Sequence, residues 1–107
     1  MPFDATGFQQ TEIPTTVAGV LRRAAALIGE RGHERIGFRN DEGGICTATA
    51  LFLAVDTDIL TFPDPNPELV TGAFNALGGV GAAIHFNARH SAAEVIAALN
   101  AAADSLS

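Results

Sequence analysis

Few residues in this chain can do chemistry: one cysteine, Cys46, three histidines, His33, His85 and His90, and six arginines, with no lysine, tyrosine or tryptophan. A thiol becomes a nucleophile when an imidazole takes its proton or a helix N-terminus stabilises the thiolate. Cys46 with His33, His85 or His90 is the set that could meet that need, and Cys46 falls near the start of an expected helix. No cysteine-hydrolase motif surrounds it, and free cysteine is among the most buried residue types, so a core position is the first assignment. The same groups could hold zinc, with Cys46, His85 and His90 joined by an acid such as Glu34. Their spacing matches no zinc motif, and His85 and His90 straddle an expected helix boundary, so no metal and no other cofactor is assigned.

Asp56, Asp58, Asp64, Asn66 and Glu68 put oxygen-bearing side chains at alternating positions, as a calcium loop does. The obligatory glycine and the twelve-residue frame are missing, so capping and solvation explain them better. Gly78-Gly79-x-Gly81 has the glycines of a phosphate loop, but it follows a helix rather than a strand and lacks the lysine of a nucleotide site. The best small-ligand candidate is an anion site just ahead of the final helix. There Asn87, Arg89 and Ser91 would be donors to a carboxylate or phosphate, beside His90 and the free backbone N–H groups of the helix start.

These groups need elements to position them. Residues 1–14 contain two prolines, a glycine and no helical period, and read as an extended arm with Phe3, Phe8 and Ile13 as anchors. Residues 15–107 read as a single helical domain. Its first helix starts at Thr15 or Thr16 as N-cap, carries Val17, Val20, Leu21, Ala24, Leu27 and Ile28 at spacings of three and four, and stops at Gly32 after Arg31. Ile36 and Phe38, followed by a turn over Asn40 to Gly44 and then Ile45, predict a short β-hairpin. Cys46 to Val55 is apolar nearly all round and reads as a buried helix capped by Thr47 or by the turn before it. Asn66-Pro67-Glu68 starts a third helix whose stripe is Leu69, Val70, Ala73, Phe74 and Leu77, ended by Gly78-Gly79. Val80 to Asn87 fits a strand by the alternation of Val80, Ala82, Ile84 and Phe86, or a short helix because Ala83 does not suit a polar face. Helix is the preferred reading. Ser91 to Glu94 is a capping box opening a helix with Val95, Ile96, Leu99, Ala102 and Leu106 inward. The expected fold is mainly α, with four to five helices and a short β-hairpin between the first two.

Several of these residues carry a family likeness. Leu21-x-x-Ala24-Ala25-x-Leu27-Ile28 ending at Gly32, then Cys46 followed by Ala50-Leu51, then Asn87-x-Arg89 leading into Ala93-Glu94-Val95-Ile96, resemble a family of small proteins of unknown function from high-GC filamentous bacteria and their phages. The likeness covers residues 17–104, with His33, Thr49 and Phe86 standing where the pattern has other residues. It implies a compact, helix-rich fold and no reaction.

Length and charge bound the function. A chain of 107 residues has room for one domain, and 48% apolar residues supply a core. A net charge of -6 is the wrong sign for a duplex-binding protein, which excludes nucleic acid as the main partner. Acids too few and too scattered to form a track argue against mimicry of nucleic acid. The lone cysteine, the absence of a basic and apolar leader and the shortness of every apolar run predict a cytoplasmic protein with no membrane partner. With catalytic groups sparse, the leading expectation is a non-enzymatic binding or regulatory module acting through protein contacts or self-association as a homodimer. The alternative is a small enzyme or accessory factor using Cys46 with His33 or His85.

Overall fold

The computed structural model describes residues 14–35, 44–55 and 67–106. Local rules written into the sequence set the helix ends. The first helix, α1 (Val17–Arg31), begins where the Thr16 side chain accepts from Gly19 N at 3.0 Å, and stops at Gly32. Gly32 takes φ +96°, a value that glycine reaches without a Cβ penalty, and its N–H donates to Ile28 O at 2.8 Å. Val20, Leu21, Ala24, Ala25 and Ile28 are buried, the stripe that spacings of three and four predict.

The second helix, α2 (Thr47–Ala54), is short and enclosed, with Thr47, Ala48, Thr49, Ala50, Leu51 and Ala54 all buried. Its small residues let α1, α3 and α4 approach it. The third, α3 (Pro67–Ala76), buries Val70, Ala73 and Phe74, and Phe74 meets Phe52 of α2 with ring centroids 6.4 Å apart. It ends in a Schellman motif, in which Gly79 N donates to Phe74 O and Gly78 N to Asn75 O while both glycines hold positive φ. The fourth, α4 (Val80–Arg89), follows after that three-residue turn, Leu77 to Gly79, at a bend of 58°. The fifth, α5 (Ala92–Ser105), opens with the expected capping box.

The core lies between α1, α2 and α5, where Leu21, Ile28, Leu51, Val95 and Leu99 are fully enclosed. Helix α1 packs most extensively on α5. The two run antiparallel, since Arg22 pairs with Asp104 while Gly29 faces Ile96. Arg23 reaches across to donate to Ala54 O at 3.2 Å, which ties α1 to the open C-terminus of α2. The chain is mainly helical and compact, with a radius of gyration of 12.8 Å.

Two expectations change, for the hairpin and for Leu106, and the preferred helix over Val80 to Asn87 is found. The hairpin is not supported. Residues 36–43 lie outside the described residues, and the ends of that segment meet as an isolated parallel bridge, with Glu34 N donating to Ile45 O and Ile45 N to Gly32 O, both at 2.9 Å. A hairpin pairs its arms antiparallel. The two-way reading of Val80 to Asn87 resolves as helix: Ala83 and Asn87, four apart, are buried, while Val80 and Ile84 of the alternating set are exposed. Leu106 is half exposed as the C-cap of α5, and Ala103 takes the inward position on the line through Val95 and Leu99. The arm residues 1–13, with Phe3, Phe8 and Ile13, and the acidic segment holding Asp56, Asp58, Asp64 and Asn66 lie outside the described residues. Among the described residues no single helix is long and apolar enough to cross a membrane.

Candidate functional site

The polar centre of the molecule is Asn87, 3% exposed on the inner face of α4. Its Oδ1 accepts from Thr47 N at 2.8 Å, from Thr47 Oγ1 at 2.7 Å and from His33 Nε2 at 2.8 Å. Its Nδ2 donates to Glu34 O at 3.0 Å and to Arg35 O at 3.2 Å. The amide orientation is fixed by chemistry: Thr47 N–H can only donate and the two carbonyls can only accept, so a flipped amide would oppose like with like. His33 must then carry its proton on Nε2. One side chain thereby closes the first turn of α2, holds the chain after α1 and anchors α4. Asn87 stood in the sequence as a ligand donor, but both its amide hydrogens point inward to backbone carbonyls. Sequence carried one hint of this hub, a weak helix former placed between apolar Phe86 and Ala88.

Cys46 is the N-cap of α2 and is 7% exposed. Its Sγ accepts from Thr49 N and lies 3.4 Å from Thr49 Oγ1, so sulfur does the work that serine or threonine oxygen usually does. Among the described residues no imidazole is bonded to it. His33 faces Asn87, His85 is exposed on α4, and His90 stacks on Phe86 with centroids 3.7 Å apart while its Nδ1 donates to Phe86 O at 2.9 Å. Glu34 joins the bridge to Ile45 through its backbone, and Glu68 is exposed in the first turn of α3. Among the described residues no three histidine, cysteine or acidic side chains converge as a metal site.

At the α4 to α5 junction, Ser91 and Glu94 satisfy each other: Ser91 N donates to Glu94 Oε1 at 2.9 Å and Glu94 N to Ser91 Oγ at 3.2 Å. The bond from Ser91 N, helped by the Ser91 hydroxyl and by the charges of His90 and Arg35, holds the Glu94 carboxyl below its ordinary pKa. Arg89 is exposed in the last turn of α4. The candidate anion donors therefore point different ways, with Asn87 turned inward, Arg89 outward and Ser91 committed to Glu94.

Two features of α4 were not visible in the sequence. Val80 and Ile84, 53% and 51% exposed, form an outward line with exposed Ala88 at steps of four. On another side α4 and α5 diverge to leave an apolar groove of about 310 Å³, walled by Leu77, Ala82, Phe86, Val95, Ala98 and Leu99, with Thr47 and His85 as its polar lining.

No curated protein and no solved structure matches the chain. One family match spans nearly all of it, residues 12–105, and takes in every described helix. The chain belongs to the family of unknown function DUF6197.

Proposed function

We propose that this protein is a non-enzymatic binding module that acts by contact with protein, first of all with a second copy of itself through the outer face of α4. The observation that carries the reading is the line Val80, Ile84 and Ala88, apolar and exposed on a helix whose adjoining side is anchored by buried Ala83 and Asn87. A two-fold contact must be self-complementary. Two α4 helices crossing antiparallel at Ile84 would set each Val80 against the partner's small Ala88, large against small on both sides, with Ile84 on the axis. Exposed Gly81, whose missing Cβ would meet nothing within 4 Å, lets the backbones come close.

The contact is small. A helix of 10 residues is about 15 Å long, so the paired faces bury less than the roughly 1,200 Å² of a standard stable interface, and a reversible dimer is the expected form. Such a contact suits a module that assembles when its concentration rises. Sedimentation velocity across a wide concentration range tests it. The mass should climb from monomer towards dimer, and Ile84→Glu, on the surface and clear of the core, should hold the protein monomeric with its circular dichroism unchanged. A strictly monomeric wild type at millimolar concentration refutes the reading.

A further inference from the structure

We infer that the groove between α4 and α5 is a binding site for an amphiphilic carboxylate, a medium-chain acyl or aryl acid whose apolar part lies between the helices and whose anion sits at His85 and Arg89. The inference does not rest on self-association, because Val80 and Ile84 lie on a different side of α4 from Ala82 and Phe86. Three observations carry it.

The first is volume and lining. About 310 Å³ falls at the lower end of small-ligand pockets, and its walls are aliphatic or aromatic side chains from α4, α5 and the turn that precedes α4. The second is the floor. Thr47 reaches the groove, but its hydroxyl donates to Asn87 Oδ1 and its backbone N–H donates to the same oxygen. Neither Thr47 hydrogen is left for a ligand, so the floor offers no donor to an anion and the charged end of an occupant belongs at the other end. The third is charge. On a chain of net charge -6, α4 carries His85, Arg89 and His90 and no acid. Exposed His85 lines the groove, and exposed Arg89, four residues on, stands one turn further along the same face of α4, beyond the lining itself. An occupant that is apolar at one end and anionic at the other matches both ends of this groove.

Isothermal titration with decanoate, kept below its micelle concentration, tests the proposal against decan-1-ol and acetate as the tail-only and head-only probes. Decanoate should bind saturably at one site, acetate should not bind, and decan-1-ol should bind about tenfold more weakly, the loss of one charge-assisted contact. Arg89→Ala should weaken decanoate about tenfold and leave decan-1-ol unchanged. Ala82→Trp fills the groove from an exposed position and should abolish binding of both tails while the melting temperature stays at the wild-type value. If that variant fails to fold, Ala98→Leu narrows the same groove from α5 and carries the same expectation. Absence of saturable decanoate binding, or binding that survives both groove-filling variants, overturns the site. Equal affinity for decanoate and decan-1-ol, with no effect of Arg89→Ala, overturns the assignment of an anionic ligand.

Discussion

Replacing Asn87 by alanine should cost this protein a large part of its stability, and the structure says how much. The substitution removes one acceptor shared by Thr47 N, Thr47 Oγ1 and His33 Nε2, and one donor shared by Glu34 O and Arg35 O. The losses are unequal. Thr47 is buried, so its N–H is left without a partner at the start of α2, a cost of about 1–3 kcal/mol. Its hydroxyl can rotate, and half-buried His33 and Glu34 can turn to water, which limits their share to about 1 kcal/mol together. The expected total is about 2–4 kcal/mol, against a whole-domain stability of roughly 5–15 kcal/mol. Asn87→Leu should not rescue it, because filling the space leaves the same N–H unpaired. The chain has no tryptophan or tyrosine, so urea unfolding is best followed by far-ultraviolet circular dichroism. At a slope of roughly 1–2 kcal/mol per molar urea, the midpoint should fall by about 2 M. Amide exchange at Thr47 should accelerate more than at Leu99. A loss below about 0.5 kcal/mol, the ordinary range for a surface substitution, would refute the claim that this amide holds α2 to α4.

The remaining expectations concern caps, contacts and the thiol. Ser91→Ala should cost about 1 kcal/mol by removing the cap of α5, read from the same urea titration. Glu94 has its folded-state pKa lowered, so its contribution is present above the ordinary carboxyl pKa of about 4.3 and is lost as pH falls through the folded value; the advantage of wild type over Glu94→Gln should be full at neutral pH and shrink below that point. At Gly72 a Cβ would lie 2.6 Å from Val17 Cγ2, so Gly72→Ala should destabilise by about 1–3 kcal/mol and the double variant with Val17→Ala should recover most of it. Cys46 should react with a thiol reagent at neutral pH far more slowly in the native protein than in urea, and Cys46→Ser should keep the cap of α2 better than Cys46→Ala.

What sequence revealed and what it withheld follow one division. Thr16, Gly32, Gly78-Gly79 and the Ser91 to Glu94 box act on neighbours a few residues away, so their types and spacings announce where helices begin and end. The stripes of α1 and α3 were legible for the same reason. Asn87 works on residues 40 and more positions distant, and no local rule marks a side chain whose partners are elsewhere. The hairpin is not supported, and its Ile36 and Phe38 lie outside the described residues, flanked by a parallel bridge between His33 and Ile45. Alternation in Ile36 and Phe38 carries no information about whether the ends of the segment will meet parallel or antiparallel, and they meet parallel. Leu106 was assigned inward by periodicity alone, yet the helix ends there. The groove belongs to no element; it is space left between α4 and α5, whose residues gave no sign of it. Cys46 shows the limit of reading reactivity from residue type, since a buried thiol at a helix start here accepts from Thr49 N and donates to Thr49 Oγ1.

The enclosure of α2 has a consequence for how the chain comes to be folded. A helix of eight residues is too short to persist in water, and both ends of this one are closed from outside, by Asn87 of α4 at its start and Arg23 of α1 at its end. It can form only when the others are already gathered. The largest partner of α1 is α5, whose contacts lie some 82 positions along the chain, as between Arg22 and Asp104. The packing of α1 is therefore completed only after α5 has left the ribosome, although α2 is within reach earlier. Until then the part of the α1 stripe that α5 covers is open to chaperones and to other nascent chains.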